Sequence, residues 1–150
     1  MTNAHATERV KILNEAPAAY QAMLGLEKFV KSSSLEHSLI ELVKTRASQI
    51  NGCAFCINMH TVDARKAGET EQRLYALSAW RDTPYFSEKE RAALALTEAV
   101  TLIANNHVPD SVYDEAARHF DSKQMGELIM AIVTINAWNR IAISTGMMPE

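Results

Sequence analysis

Apolar residues recur at intervals of three and four along most of the chain, which is the period of an amphipathic α-helix. No stretch alternates apolar and polar residues in a way that predicts a strand. The pattern divides into seven helices, at about residues 16–31, 35–50, 53–67, 70–79, 88–104, 110–120 and 122–145. It therefore predicts an all-α fold. No linker or charge run separates the segments, so we expect one domain over residues 1–150.

Residues that start and stop helices stand at the ends of these segments. A capping box pairs Ser or Asp with Glu or Gln three positions later and satisfies the free N–H groups of a first turn. Such pairs are Ser33 with Glu36, Ser87 with Glu90, and Asp121 with Gln124. Glycine closes a last turn because it adopts the left-handed conformation. It follows three of the predicted helices, at Gly52, Gly68 and Gly146.

The last segment is apolar on almost every side. Between Leu128 and Ile143 the apolar run is broken only by Thr134, Asn136, Asn139 and Arg140. A helix of this kind is buried on most faces. In so small a protein we expect other copies of the chain to cover part of it, and we expect the asparagines and the arginine to form a buried polar cluster.

Composition narrows the classes of function. The 150 residues are 47% hydrophobic and 22% charged, and the net charge of -3 indicates no basic surface for nucleic acid. The N-terminal MTNAHATERV lacks the pattern of a secretory signal, and no run approaches the roughly 18 apolar residues of a membrane span. We therefore predict a cytoplasmic protein without nucleic-acid or membrane partners.

Both cysteines lie in the segment NGCAFCINMH, residues 51–60. Cytosolic thiols are kept reduced, so a CxxC pair there is typical of redox chemistry or metal binding. On a helix, Cys53, Cys56 and His60 form one stripe because they are spaced by three and four residues. The free N–H groups and the positive dipole end of a first turn favour thiolate over thiol. We therefore expect reactive sulfur.

Glu41 is a candidate fourth member of this site. A tight turn before the cysteines would fold the second helix back against the cysteine helix, and a carboxylate beside His60 would orient the ring and hold its proton. Two alternatives stay open. One is core packing of small side chains. The other is a zinc site formed by Cys53, Cys56 and His60, with Glu41 or His37 as the fourth ligand.

The arrangement Glu41-x11-Cys53-x2-Cys56-x3-His60 closely resembles the core motif of the alkylhydroperoxidase AhpD-like proteins of the carboxymuconolactone decarboxylase superfamily. The flanking runs RASQINGC, HTVDARKAGE and AWRDTPYFSEKERAALALTEAVT agree as well. The resemblance spans the chain from Ala16 to Gly146. It implies an all-helical fold that assembles as a homo-oligomer. It also implies a thiol-based peroxidase or disulfide reductase that needs no metal, haem or flavin.

The same resemblance implies a role for each motif residue. Cys56 attacks a small organic hydroperoxide and becomes a sulfenic acid. Cys53 donates a proton, closes the disulfide and meets an external dithiol reductant, either a lipoylated or a thioredoxin-like protein. His60 and Glu41 form the proton relay, which can include a water molecule. We also expect Phe55, Met59 and Trp80 to supply an apolar wall.

Two departures from the motif change these expectations. Phe55 stands where better-characterised members carry a histidine, so any proton handling by that residue is absent. The chain is also of the short type, for which the resemblance implies a trimer or a hexamer built as a dimer of trimers. A disulfide reductase or adaptor for another peroxidase remains an alternative function. So does a non-enzymatic metal-binding or redox-sensing module.

Overall fold

The computed structural model describes residues 8–150, and within that range the chain is helical with no strand. The α-helices are α1 (Ile12–Glu15), α2 (Pro17–Lys31), α3 (His37–Asn51), α4 (Ala54–Lys66), α5 (Glu71–Ala76), α6 (Glu88–Thr101), α7 (Ile103–Asn106), α8 (Asp110–His119) and α9 (Ser122–Thr145). A 3-10 helix, Leu77–Asp82, follows α5. The all-α prediction is confirmed. The secretory-signal prediction rests partly on residues 1–7, which lie outside the described residues.

The observed helix ends differ from the predicted ones at three places. The predicted fourth helix divides after Ala76 into α5 and the 3-10 helix, and Ala79, inside the 3-10 helix, leaves the helical region at φ -123°. The predicted fifth helix ends at Thr101, and α7 follows as a separate turn. The one-turn α1 was not predicted.

One of the three predicted capping boxes is wrong. The N-cap residue of α3 is Glu36, and no side chain caps this helix. The Glu127 carboxylate of α9 instead accepts hydrogen bonds from the backbone N–H and the hydroxyl of Ser34, at 3.1 and 2.6 Å. The serine run is therefore tied to a distant helix rather than to its own. The boxes at Ser87 and Asp121 are confirmed, with both reciprocal bonds present in each.

Helix α9 runs through the core and packs against α2, α3, α4, α6 and α8. By length and composition it is long and apolar enough to span a membrane, with a mean hydropathy of 1.3. The expectation that no segment approaches this limit is therefore wrong, because charged residues are few in its most apolar window. Leu128, Ile132 and Ile135 are fully buried, which is the environment of a core helix.

The predicted buried polar cluster on α9 is confirmed for Asn136 and Asn139, whereas Arg140 is exposed, and the cluster joins α9 to the end of α3. The Asn51 amide donates to the side-chain oxygens of both Asn136 and Asn139, at 2.9 Å each. The Asn139 amide donates to the Ser48 hydroxyl at 3.0 Å, and Arg140 donates to the Asn136 side-chain oxygen at 3.0 Å. Buried polar groups that satisfy one another in this way fix the relative position of the elements that carry them. The cluster thereby positions the turn that follows α3.

Candidate redox site

The turn between α3 and α4 places the cysteines at the start of a helix. Helix α3 closes at Gly52, whose backbone is left-handed at φ 69° and ψ 33°. Cys53 is the N-cap residue of α4, and its Sγ accepts a hydrogen bond from the Cys56 N–H at 3.3 Å. The predicted turn and helix start are confirmed, and Cys53 Sγ accepts a hydrogen bond from a backbone N–H of the first turn that has no partner within the helix.

We expect Gly52→Ala to lower the free energy of unfolding by about 1 kcal/mol, because an L-residue pays roughly 1–2 kcal/mol in the left-handed region. An added Cβ would meet nothing within 4 Å, so the cost is conformational rather than steric. Gly126→Ala is the matched control. It lies inside α9 with equally open space, and alanine there should add about 0.5–1 kcal/mol. Urea unfolding of both variants tests this, and a loss of equal size at both positions would contradict it.

Cys53 and Cys56 are joined as a disulfide, with their Cα atoms 5.3 Å apart. Both residues are almost inaccessible, at 1% and 4% exposure. In this state neither sulfur is a thiolate, so the alternative of a zinc site at the cysteines applies only to the reduced chain. The two cysteines therefore form a disulfide that can accept two electrons and that is shielded from solvent.

The apolar wall around the disulfide is smaller than predicted. Phe55 and Ala142 of α9 pack with the two cysteines. Met59 is exposed, and Trp80 belongs to a separate cluster and donates its indole N–H to Glu98 at 2.8 Å. Of the three predicted wall residues, only Phe55 packs against the cysteines.

His60 and Glu41 meet between α4 and α3, with His60 Nδ1 3.2 Å from Glu41 Oε2 and both residues buried. Since a carboxylate accepts, we assign the proton of the neutral ring to Nδ1, which leaves a lone pair on Nε2. The structure thus brings together two residues that are 19 positions apart. In this disulfide state His60 makes no hydrogen bond to either sulfur within the part of the chain that the structure describes.

The surroundings of Glu41 favour its ionised form. Burial alone raises the pKa of this carboxyl, but the hydrogen bond from His60 and the charges of His60, Lys44 and His37 lower it. The resulting pKa lies below the ordinary value of 4.5. Lys44 is fully buried one turn further along α3 and pairs with Glu27 of α2. A carboxylate held as an anion is the partner that a histidine base requires.

Two more residues lie beside this pair: His37, which the sequence offered only as an alternative zinc ligand, and Asp63, which sequence reasoning missed. His37 lies one turn before Glu41, with its Nε2 4.0 Å from Glu41 Oε1. Asp63 lies one turn after His60, and one ligand atom each of Asp63, His60 and Glu41 lie within 4.8 Å of one another. Spacings of four and three residues along a helix were the available signals, since such side chains are neighbours.

The structure thus combines a helical fold, a buried CxxC disulfide at the start of α4 and a buried Glu–His pair between α3 and α4. Residues 15–99 match the model of the Carboxymuconolactone decarboxylase family. The chain belongs to this family.

Two relatives extend the match. The uncharacterised protein YdfG of Bacillus subtilis (strain 168) is 48% identical over 140 residues, which cover 93% of this chain and 95% of YdfG. The uncharacterised protein YnjA of Escherichia coli (strain K12) is 31% identical over 102 residues, which cover 68% of this chain and 56% of YnjA. The first match spans nearly the whole of both proteins, whereas the second spans little more than half of YnjA.

Two solved structures share the fold. A protein of unknown function from Agrobacterium tumefaciens, described as a candidate antioxidant defence protein AhpD, superposes with a TM-score of 0.92. It is 40% identical, and the match covers 96% of this chain and 99% of that one. The debrominase Bmp8 superposes with a TM-score of 0.83 at 22% identity, covering 92% of this chain and 74% of Bmp8. The first comparison establishes the AhpD-like fold, and the second concerns the fold alone.

Proposed function

We propose that this protein is a thiol-dependent peroxidase that reduces small organic hydroperoxides through Cys53 and Cys56. The observation that carries the proposal is a buried disulfide at a helix start, close in sequence to a histidine that is hydrogen-bonded to a buried carboxylate. Two thiols supply the two electrons that cleave an O–O bond, and the Glu41–His60 pair handles the proton. The AhpD-like fold supports the same chemistry.

In the first step His60 Nε2 takes the proton of the Cys56 thiol through a bridging water. The Cys56 thiolate then attacks the terminal oxygen of the hydroperoxide. The new S–O bond forms as the O–O bond breaks, which leaves a sulfenic acid and an alkoxide. Cys53 gives its proton to the alkoxide, which departs as the alcohol. Cys56 has now been oxidised by two electrons, and the peroxide has been reduced by the same two.

In the second step the Cys53 thiolate attacks the Cys56 sulfenic sulfur and releases hydroxide, which takes the proton held by His60 and leaves as water. The Cys56 N–H that points at Cys53 Sγ stabilises this thiolate, so the cap geometry serves the closure of the disulfide. An external dithiol, from a lipoylated or thioredoxin-like protein of the cytoplasm, then reduces the disulfide by exchange.

Thiol counting tests the proposal directly. We expect two free thiols per reduced chain and none after one equivalent of an organic hydroperoxide, with mass spectrometry locating a Cys53–Cys56 disulfide. One equivalent of the alcohol should appear at the same time. Retention of both thiols, with the hydroperoxide unconsumed, would rule the proposal out.

Reduction of protein disulfides, as an adaptor for another peroxidase, is the second candidate function. The N–H bond to Cys53 Sγ favours it, because a stabilised thiolate is a good leaving group in exchange. The burial of both sulfurs favours the smaller substrate, since a protein disulfide must approach them closely. Turnover of a hydroperoxide and of a protein disulfide, compared with the same dihydrolipoyl donor, separates the two functions.

We also propose that copies of the chain associate through the exposed face of α9. Val133 and Ile143 on this helix are 42% and 45% exposed, an unusual state for large apolar residues of a core helix. We expect sedimentation equilibrium to give a multiple of the 16.7 kDa chain mass, and Val133→Arg to lower it. A wild-type mass of one chain would contradict this assembly.

A further inference from the structure

We propose that Glu41, His60 and Asp63, with His37 as a fourth ligand, bind a divalent transition-metal ion such as Zn²⁺, and that the bound ion switches off the proton relay. The cysteines take no part in this site. It therefore differs from the zinc site at the CxxC that the sequence left open as an alternative, and it can form while the disulfide is intact.

The buried half of the site already has the required spacing. Zinc bonds to nitrogen and oxygen of about 2.0–2.1 Å place neighbouring ligand atoms of a tetrahedron about 3.3 Å apart. His60 Nδ1 and Glu41 Oε2 are 3.2 Å apart. The two atoms can therefore ligate one ion with little rearrangement of the core.

The exposed half of the site can move to complete the tetrahedron. An Asp63 oxygen lies within 4.8 Å of the ligand atoms of both buried residues, and His37 Nε2 is 4.0 Å from the second oxygen of Glu41. Both residues are exposed, so changes of side-chain rotamer shorten these distances at small cost. Two imidazoles and two carboxylates form a donor set that suits Zn²⁺.

The consequence for the relay follows from the tautomer of His60 and rests on the proposed function. An ion on Nδ1 replaces the proton that Glu41 accepts, so the neutral ring carries its remaining proton on Nε2. That nitrogen then has no lone pair with which to take a proton from a thiol. The ion also occupies the Glu41 carboxylate, so both relay groups are engaged at once.

Binding is tested on the oxidised full-length chain, in which the disulfide removes the cysteines as ligands. We expect one equivalent of Co²⁺ to give the visible absorption of a tetrahedral site and to be displaced by Zn²⁺. Asp63→Asn should weaken Zn²⁺ binding at least about tenfold, since even the loss of a hydrogen-bonding partner of a ligand costs about 10–100-fold in affinity. His37→Asn should weaken it in the same direction.

Glu115→Gln is the matched control. Glu115 and His119 form another His–carboxylate pair with a distance of 3.2 Å, on the surface of α8. We expect the variant to bind Zn²⁺ as the wild type does, because that pair belongs to no comparable cluster within residues 8–150. Absence of Zn²⁺ binding to the oxidised wild type would overturn the site, and so would equal affinity of wild type and Asp63→Asn.

The switch is tested separately, in the hydroperoxide assay. Zn²⁺ should inhibit the wild type at lower concentration than Asp63→Asn. Equal inhibition of both would place the inhibiting ion on the reduced cysteines and overturn the switch. If the wild type consumes no hydroperoxide, the proposed function and the switch fail together, while the binding result on the oxidised chain still decides the metal site.

Discussion

Cys56→Ser abolishes the consumption of hydroperoxide, whereas Cys53→Ser consumes a single equivalent and stops. This is the expected outcome because only Cys56 forms the bond to oxygen in the proposed reaction. Cys53 closes the disulfide afterwards, and its earlier role as proton donor to the alkoxide can be taken over by the serine hydroxyl. The two residues are equally buried, so the two substitutions perturb packing to a similar degree and serve as controls for each other.

The measurement is a single-turnover assay of each reduced variant, with a sulfenic-acid trap and mass spectrometry. We expect the trap to label residue 56 of the Cys53→Ser variant and nothing in the Cys56→Ser variant. A single equivalent consumed by Cys56→Ser, with the label on Cys53, would reverse the two roles. The hydrogen bond from the Cys56 N–H to Cys53 Sγ would then mark the attacking thiolate rather than the closing one.

Glu41→Gln lowers kcat/KM for the hydroperoxide by roughly 10²-fold, the lower end of what a positioned acid–base group contributes. Glutamine keeps the shape of the side chain and accepts from His60 Nδ1, but it carries no charge to stabilise the protonated ring. Glu36→Gln is the control, since Glu36 is exposed and its side chain caps nothing. Steady-state kinetics of both variants decide the point, and equal activity of Glu41→Gln and wild type would remove Glu41 from the relay.

The same substitution changes how stability depends on pH. In the folded chain the pKa of Glu41 lies below its ordinary value of 4.5, so the unfolded chain takes up the proton first as the pH falls. The stabilisation by this carboxylate is therefore complete above about pH 4.5 and is lost as the pH falls through the folded-state pKa. The difference in unfolding free energy between wild type and Glu41→Gln should shrink between about pH 7 and about pH 3. A difference that stays constant would contradict this.

Local sequence determined the features of this protein that depend on neighbouring residues. The period of the apolar residues is enough to predict the long helices, since burial of one face requires it. Gly52 and Gly146 close α3 and α9 in the left-handed conformation as expected. Helix geometry places Cys56 and His60 on the buried face of α4, while Cys53 is buried as the N-cap residue just before that helix.

Only the tertiary structure decided which distant groups meet. Ser34 is hydrogen-bonded to Glu127 because α9 brings a carboxylate to the start of α3. The local sequence predicts a capping box with Glu36 instead, because it does not show that a distant carboxylate is nearby. The 3.2 Å approach of His60 to Glu41 depends on the packing of α4 on α3. The burial of the two sulfurs depends on Ala142 of α9. Helix ends and the residues that share a helix face are set by interactions within about one turn. Ion pairs, burial and the members of a site are set by contacts between helices that lie far apart in the sequence, so a local pattern does not reveal them.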